Sequence, residues 1–301
     1  MHLEAPQPPT DWPTGFMLIQ GNRLEELRAL LVAWMQRHPL APLENETILV
    51  QSNGIAQWLK LALAATPAAD ETEGGQGIAA ALDVMLPARF IWRLYRAVLG
   101  DLPETSPFDK APLTWRLYRL LERLTGVMPL QAGDTQFEAL APLRGFLAVD
   151  GEEAAPRRRY QLAERLADLL DQYQVYRADW LTAWSAGRDI LITAKGESRP
   201  VPEGQGWQPV LWRALQADVN AEFGPDDPSL RHASRAEVHR IFLERARGAG
   251  ADQTQTPMTA LQAAELPRRV IVFGISSLPR QMLEVLEAIA PLSQVILFVL
   301  N

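Results

Sequence analysis

The segment Thr47-Ile48-Leu49-Val50-Gln51-Ser52-Asn53-Gly54-Ile55-Ala56-Gln57-Trp58 passes from one kind of secondary structure to another across a single turn. Its first four residues are apolar or β-branched and read as a buried strand. Gln51-Ser52-Asn53-Gly54 is rich in turn formers. From Ile55 to Ala65 the pattern is helical. The same grammar stands on either side. Upstream, Phe16 to Ile19 reads as a strand, Gln20-Gly21 as a turn and the residues up to about Arg37 as a helix. Leu24, Leu27, Leu31, Trp34 and Met35 fall on one face of that helix, and Asn22 followed by Glu25 reads as a capping box. His38-Pro39 ends it. Downstream, Ile78 to Leu82 reads as a third strand, leading through Leu86-Pro87 into a helix from Ala88 to Leu99. Three strand–turn–helix units in succession predict an α/β layer on a parallel sheet.

The grammar changes in the middle and returns at the end. Between about Asp109 and Gly248 the best windows are helical and no strand stands out: Leu113–Leu124, Thr135–Leu147, Arg157–Val175, Ala178–Ala186, Trp207–Val219 and Arg235–Ala246. Then Arg269-Val270-Ile271-Val272-Phe273 reads as a strand, Gly274 to Pro279 as a turn, Arg280 to Ala290 as a helix and Gln294 to Leu300 as a strand. The expected organisation is a disordered tail over 1–15, an α/β domain over 16–108, an all-helical insertion over 109–264 and the α/β domain resumed over 265–301. Thr66–Gly77 is expected to be a mobile linker. A parallel sheet that stops on a strand lacks a closing helix, so the chain is expected to continue beyond Asn301.

Composition narrows the function. Of 301 residues 48% are hydrophobic and 22% charged, enough apolar content for a core and too much for a disordered chain. No apolar run approaches the ~20 residues of a membrane span, and the first residues lack the pattern of a secretory signal. With no cysteine there is no disulfide, thiolate metal site or thiol nucleophile, which fits a reducing, cytoplasmic setting. The net charge is −7 and the pI about 5.3, so any nucleic-acid role must use a local groove rather than a basic coat. Only Lys60, Lys110 and Lys195 are lysines, and none sits in a Gly-Lys-Ser/Thr context, so there is no P-loop.

Few residues suggest other chemistry. Of the histidines only His232 and His239 are close, and they read as solvated helix residues rather than zinc ligands, which come in threes and fours. Ser276-Ser277 follows a strand without a nearby histidine. Asp168 and Asp171 share a helix face beside Gln172, with Leu162, Leu166 and Leu170 opposite. They read as a solvated face, because a metal-dependent nuclease needs more carboxylates and a lysine nearby. The amides Gln51, Asn53 and Gln57 are more telling. They lie at the C-terminal edge of a strand and the start of a helix, where open α/β sheets bind ligands and anions are favoured. Their side chains donate to and accept from base edges. Trp58 reads as core.

The runs ILVQSNGIAQWL, IAAALDVMLPARFIW, LADLLDQYQVYRADWL and RVIVFGISSLPRQMLEVLEA, in that order over residues 16–301, resemble the N-terminal part of the RecC family, the gamma chain of exodeoxyribonuclease V (RecBCD). The resemblance implies the fold of a superfamily 1 helicase that has lost its ATPase. Leu18-Ile19-Gln20-Gly21-Asn22-Arg23 then stands where Walker A belongs, and Val272 to Ser276 where Walker B belongs, with Phe273-Gly274 in place of Asp-Glu. It implies a non-catalytic subunit that recognises Chi in the 3′-ended single strand. The family's reading positions fall on Gln51, Asn53, Gln57, Leu86, Trp92, Asp168, Leu169, Asp171, Arg177 and Arg235. Gln51, Asn53 and Gln57 would then face Asp168, Asp171, Arg177 and Arg235 across a channel. Asn53 stands where the family usually has Thr, and Met85 precedes Leu86 where Pro is usual, so sequence preference is open to change. The implied partners are RecB-like and RecD-like chains and single-stranded and duplex DNA. ATP and magnesium would serve those partner chains, with no cofactor or metal in this one. The rival readings are a scaffold that only holds its partners, and an active helicase or nuclease.

Overall fold

A computed structural model describes residues 14–42, 44–66, 75–100, 102–126, 138–148, 154–224, 230–246 and 266–301. In chain order its elements are β1 (Gly15–Gly21), α1 (Leu24–Arg37), β2 (Glu46–Val50), α2 (Asn53–Ala64), β3 (Leu82–Met85), α3 (Pro87–Leu99), α4 (Lys110–Gly126) and α5 (Ala141–Leu147). There follow α6 (Ala154–Tyr176), α7 (Ala178–Ser185), β4 (Ile190–Ile192), β5 (Ser198–Pro200), α8 (Trp207–Phe223), α9 (Arg235–Ala246), β6 (Arg269–Phe273), α10 (Arg280–Ile289) and β7 (Gln294–Leu300). They form two compact units, Met1–Gly100 with Phe242–Asn301, and Asp101–Ile241.

The first unit is α/β. Its five strands make one parallel sheet in the order β1-β7-β6-β2-β3. Strands from both chain ends therefore pair directly, Ile48 beside Ile271 and Phe16 beside Val295. All five residues of both β2 and β6 are buried, as central strands covered on two faces require. On one face Leu27, Leu31, Val32 and Met35 of α1 and Leu59 and Leu63 of α2 pack on Ile48, Val50, Ile271, Phe273, Ile296 and Phe298. Each such side chain taken out of water contributes ~1.5–3 kcal/mol. The step from β6 to β7 runs along the sheet opposite to those from β1 to β2 and β2 to β3, so right-handed crossover puts α10 on the other face. There α10 meets α3. The direction reverses between β2 and β6, where Val50 and Phe273 are register partners. The crevice beyond those two strand ends is the topological switch point.

The opposite ends of the same two strands are pinned by charge. Arg269 donates from Nε to Glu46 at 3.0 Å and from Nη2 to the His38 carbonyl at 3.0 Å, with 1% of its side chain exposed. Burial pushes the Glu46 carboxyl upward against the pull of that guanidinium. After β6, Gly274 turns the chain with φ +66°, its N–H donating to Phe298 O at 2.8 Å. A Cβ there would stand 2.8 Å from Leu24 Cδ1, which would have to swing aside, and the positive φ strains any side chain at this turn.

The second unit is mostly helical. Leu113, Leu117 and Leu121 of α4, Ala163, Leu166 and Leu170 of α6, Leu181 and Trp184 of α7, and Leu211, Trp212 and Leu215 of α8 share one core. Lys110 pairs with Asp168, and Glu122 with Arg159, so α4 and α6 run antiparallel. Arg116 is buried between Asp218 at 2.5 Å and Glu222 at 2.6 Å. Burial pulls its guanidinium pKa down, and these bonds more than restore it. Asp218, pushed up by burial but bonded to Arg123 and Arg116, ends below the usual carboxylate range.

Several sequence expectations are corrected. The insertion is not all helical, because β4 and β5 form an antiparallel hairpin. Three-residue strands are too short to show a period of two. The third strand is Leu82–Met85, not Ile78–Leu82: Ile78 is largely exposed, and Ala81, with φ +53°, turns the chain into the strand. β1 extends to Gly21 and Arg23 is the N-cap of α1, with no side-chain cap bond, so the Asn22–Glu25 capping box does not form. The expected tail and linker, and the start of the Thr135–Leu147 window, fall largely outside the described residues.

Candidate nucleic-acid interface

In the α/β unit the switch point carries the polar turn. Ser52 closes β2 and caps α2, its hydroxyl accepting from Ile55 N–H at 3.3 Å. That bond satisfies one of the helix's open donors and sets the direction in which α2 leaves the sheet. Gln51, Asn53 and Gln57 are exposed around it, one before the cap and two on the first turns of the helix. Trp58 turns inward, 6.3 Å from Phe273 between ring centroids, and packs against the core as the sequence indicates. Leu59 and Leu63 hold the buried side of α2, so the amide side is left to solvent.

Leu86 is the N-cap residue of α3 and is exposed. Pro87 at the first helical position needs no N–H partner there. Trp92 is half-buried, edge-on to Tyr95 at 5.7 Å. Asp83, on β3 three residues before Leu86, pairs with Arg93 on the second turn of α3.

In the helical unit the expected acidic and basic residues meet partners. Arg235, at the start of α9, donates from Nη2 to Asp109 at 2.8 Å and approaches Asp171 with Nη1 at 3.3 Å. Asp168 is 2.5 Å from Lys110 Nζ. The hydrogen bond with Asp168 and its charge, then the charges of Glu164 and Asp171, raise the Lys110 ammonium above the ordinary lysine value. The expectation of a solvated acidic face without a nearby lysine is therefore corrected. Gln174, fully buried, donates to Phe108 O at 2.9 Å and accepts from Arg235 N–H at 3.1 Å. Leu169, between the two aspartates, is half-buried. Sequence reading missed Asp109, Lys110 and Gln174. The only available signal was Asp109-Lys110 opening a helix, since the pairing partner lies far along the chain.

Arg177 has a different setting. It is the N-cap residue of α7, its guanidinium lies 3.9 Å over the Trp180 ring, and it bonds the Ile192 carbonyl. Trp180 Nε1 donates to the same carbonyl at 2.9 Å, and Trp184 Nε1 to Ile190 O at 3.0 Å. The free edge of β4 is thus satisfied by side chains, and the hairpin is tied to α7.

The histidines are not the solvated helix residues the sequence suggests. His239 is buried on α9, and His232 precedes that helix, stacked on Phe223 at 3.7 Å. Among the described residues no group of three His, Cys, Asp or Glu could hold a metal ion, and no helix is long and apolar enough to cross a membrane.

Comparison with known proteins bears on this arrangement. The sequence profile of the family described as "RecC, N-terminal domain" matches residues 16–301. The chain is 36% identical over 270 residues to RecBCD enzyme subunit RecC of Escherichia coli strain K12, covering 89% of this chain and 20% of that protein. It is 32% identical over 297 residues to the subunit of the same name from Haemophilus influenzae, covering 95% of this chain and 23% of that protein. The one from Mycobacterium tuberculosis strain H37Rv is 27% identical over 251 residues, 83% of this chain and 19% of that protein. The chain thus spans about a fifth of the length of these relatives. With the profile matched over nearly all of its length, this chain belongs to the RecC N-terminal domain family.

Proposed function

We propose that the chain is the non-catalytic, DNA-reading part of a RecBCD-type helicase–nuclease subunit in double-strand break repair by recombination. In this reading it recognises Chi in the 3′-ended single strand, in the cytoplasm, beside RecB-like and RecD-like chains that use ATP and magnesium. Its α/β unit is read as a superfamily 1 helicase-like domain without its ATPase. The observation that carries the reading is the exposed set of amides, Gln51, Asn53 and Gln57, at the switch point of the parallel sheet. Amides pair bidentately with base edges, which phosphate binding alone would not need. The test is binding of labelled single-stranded DNA to the reconstituted three-chain complex, with and without Gln51→Ala, alongside cleavage at Chi scored against total unwinding. Unchanged binding and Chi response would sink it.

A scaffold-only role is the second reading. The internal pairing of Asp168, Asp171, Arg177 and Arg235 favours it for the helical unit. Under it, substitutions there would impair assembly or unwinding and Chi response together. Under the first reading they would change Chi response alone.

A further inference from the structure

Two exposed aromatic side chains of the helical unit meet across the α4–α6 pair. Trp115 on α4 is 59% exposed and Tyr160 on α6 39%, with their rings 5.6 Å apart. Tyr118 stands edge-on to Trp115 at 6.2 Å, and Phe146 of α5, also exposed, lies under the Arg158 guanidinium at 5.6 Å. A tryptophan left this open gives up burial that a covering surface would supply. The rim is basic in a chain of net charge −7. Arg119 follows Trp115 by one turn and Arg157 precedes Tyr160 by one turn, and both are exposed. Arg158 bonds the Phe146 carbonyl at 3.1 Å, and among the described residues no ion pair engages its charge. Arg159 is neutralised by Glu122 at 2.8 Å. Among the described residues Glu164, one turn beyond Tyr160, is an opposing charge on this face beside Glu122.

We infer that this face is a protein-docking surface whose occupant is an acidic segment of a partner chain. That segment lays an apolar side chain on Trp115 and Tyr160 and sets carboxylates against Arg119, Arg157 and Arg158. An exposed Trp–Tyr centre rimmed by Arg has the composition that dominates protein interfaces. A single nucleic-acid strand fits less well. The rings pack tilted against one another rather than offering separate faces for successive bases, and Glu122 and Glu164 would stand against its phosphates. The inference rests on the proposed membership of a three-chain complex.

The full-length chain is co-expressed with RecB-like and RecD-like chains of the same genome, and assembly is measured by mass photometry over a dilution series. Trp115→Ala, and separately Arg119→Glu with Arg157→Glu, are expected to weaken assembly at least about tenfold. The wild type should weaken with added salt and the charge-reversed variant much less so. Trp115→Phe should stay close to wild type. All positions are exposed, and an unchanged circular-dichroism melt confirms folding. Assembly of every variant at wild-type strength overturns the inference, and a loss of oligonucleotide binding with assembly intact reassigns the face to nucleic acid. A wild-type chain that fails to assemble at all refutes the complex-membership reading instead, a result distinct from either.

Discussion

Arg235 and Asp171 face each other at 3.3 Å, Nη1 to Oδ1, and the other terminal nitrogen of Arg235 is held by Asp109 at 2.8 Å. One guanidinium thus joins three segments: the start of α9, the C-terminal third of α6 and the loop leading into α4. Two of the expected reading positions are therefore part of a local lock. Replacing Arg235 with Ala leaves two carboxylates facing each other and removes the cross-tie. The expected cost is about 1–3 kcal/mol, read as a lower denaturant midpoint in urea titration of the full chain. Arg235→Lys should restore little of it, because an ammonium cannot span both carboxylates.

Arg177 acts on the hairpin. Arg177→Ala takes one of two donors from the Ile192 carbonyl and the cation from the Trp180 ring. Hydrogen exchange at residues 190–200 should accelerate while the α4 and α6 amides stay protected. Equal acceleration throughout the unit would show that Arg177 supports the whole core rather than the hairpin.

The buried Arg269–Glu46 pair behaves differently from an exposed bridge. Removing one partner strands a charge, so Arg269→Met or Glu46→Leu alone should cost about 3–5 kcal/mol. The double substitution should recover much of that loss, since the site then becomes apolar. Thermal melts of the three variants check this, and a double variant as unstable as the sum of the singles would contradict it.

Asp218 sets an acid limit for the helical unit. Its folded pKa lies below its ordinary value because Arg123 and Arg116 outweigh its burial. Between the two values the unfolded chain binds more protons, so stability rises with pH there. The contribution is complete above about pH 4–5 and is lost as pH falls through the folded value. Asp218→Asn should lower the melting temperature near neutrality and flatten its fall on acidification, in melts from about pH 3 to pH 7.

Under the proposed function, a change at Gln57 should separate reading from unwinding. It is exposed on α2 and supports no core contact, so Gln57→Ala should leave stability within about 0.5 kcal/mol. In the reconstituted enzyme it should reduce cleavage at Chi by roughly five- to a hundredfold, the worth of one base contact, with total unwinding unchanged. Loss of both activities together would assign Gln57 a structural role.

The parallel sheet was legible because burial writes itself into composition. Glu46–Val50 and Arg269–Phe273 are apolar runs with charged first residues, and strand–turn–helix order restricts how they can pair. The polar turn after β2, the helix that follows and the inward Trp58 were legible for the same local reason, although α2 begins at Asn53 rather than Ile55, because the Ser52 cap takes the first turn back over Asn53-Gly54. What only the tertiary structure decided are relations between distant residues. Lys110 beside Asp168, Gln174 bridging Phe108 to Arg235, and Arg269 closing on Glu46 each join segments whose spacing carries no period. The hairpin at 190–200 was hidden because side chains of α7, not a long strand partner, satisfy its edge. Local periodicity reports which face of an element is dry. Which charge meets which is settled only when the packed helices bring them within hydrogen-bond reach, where desolvation makes an unpaired group costly.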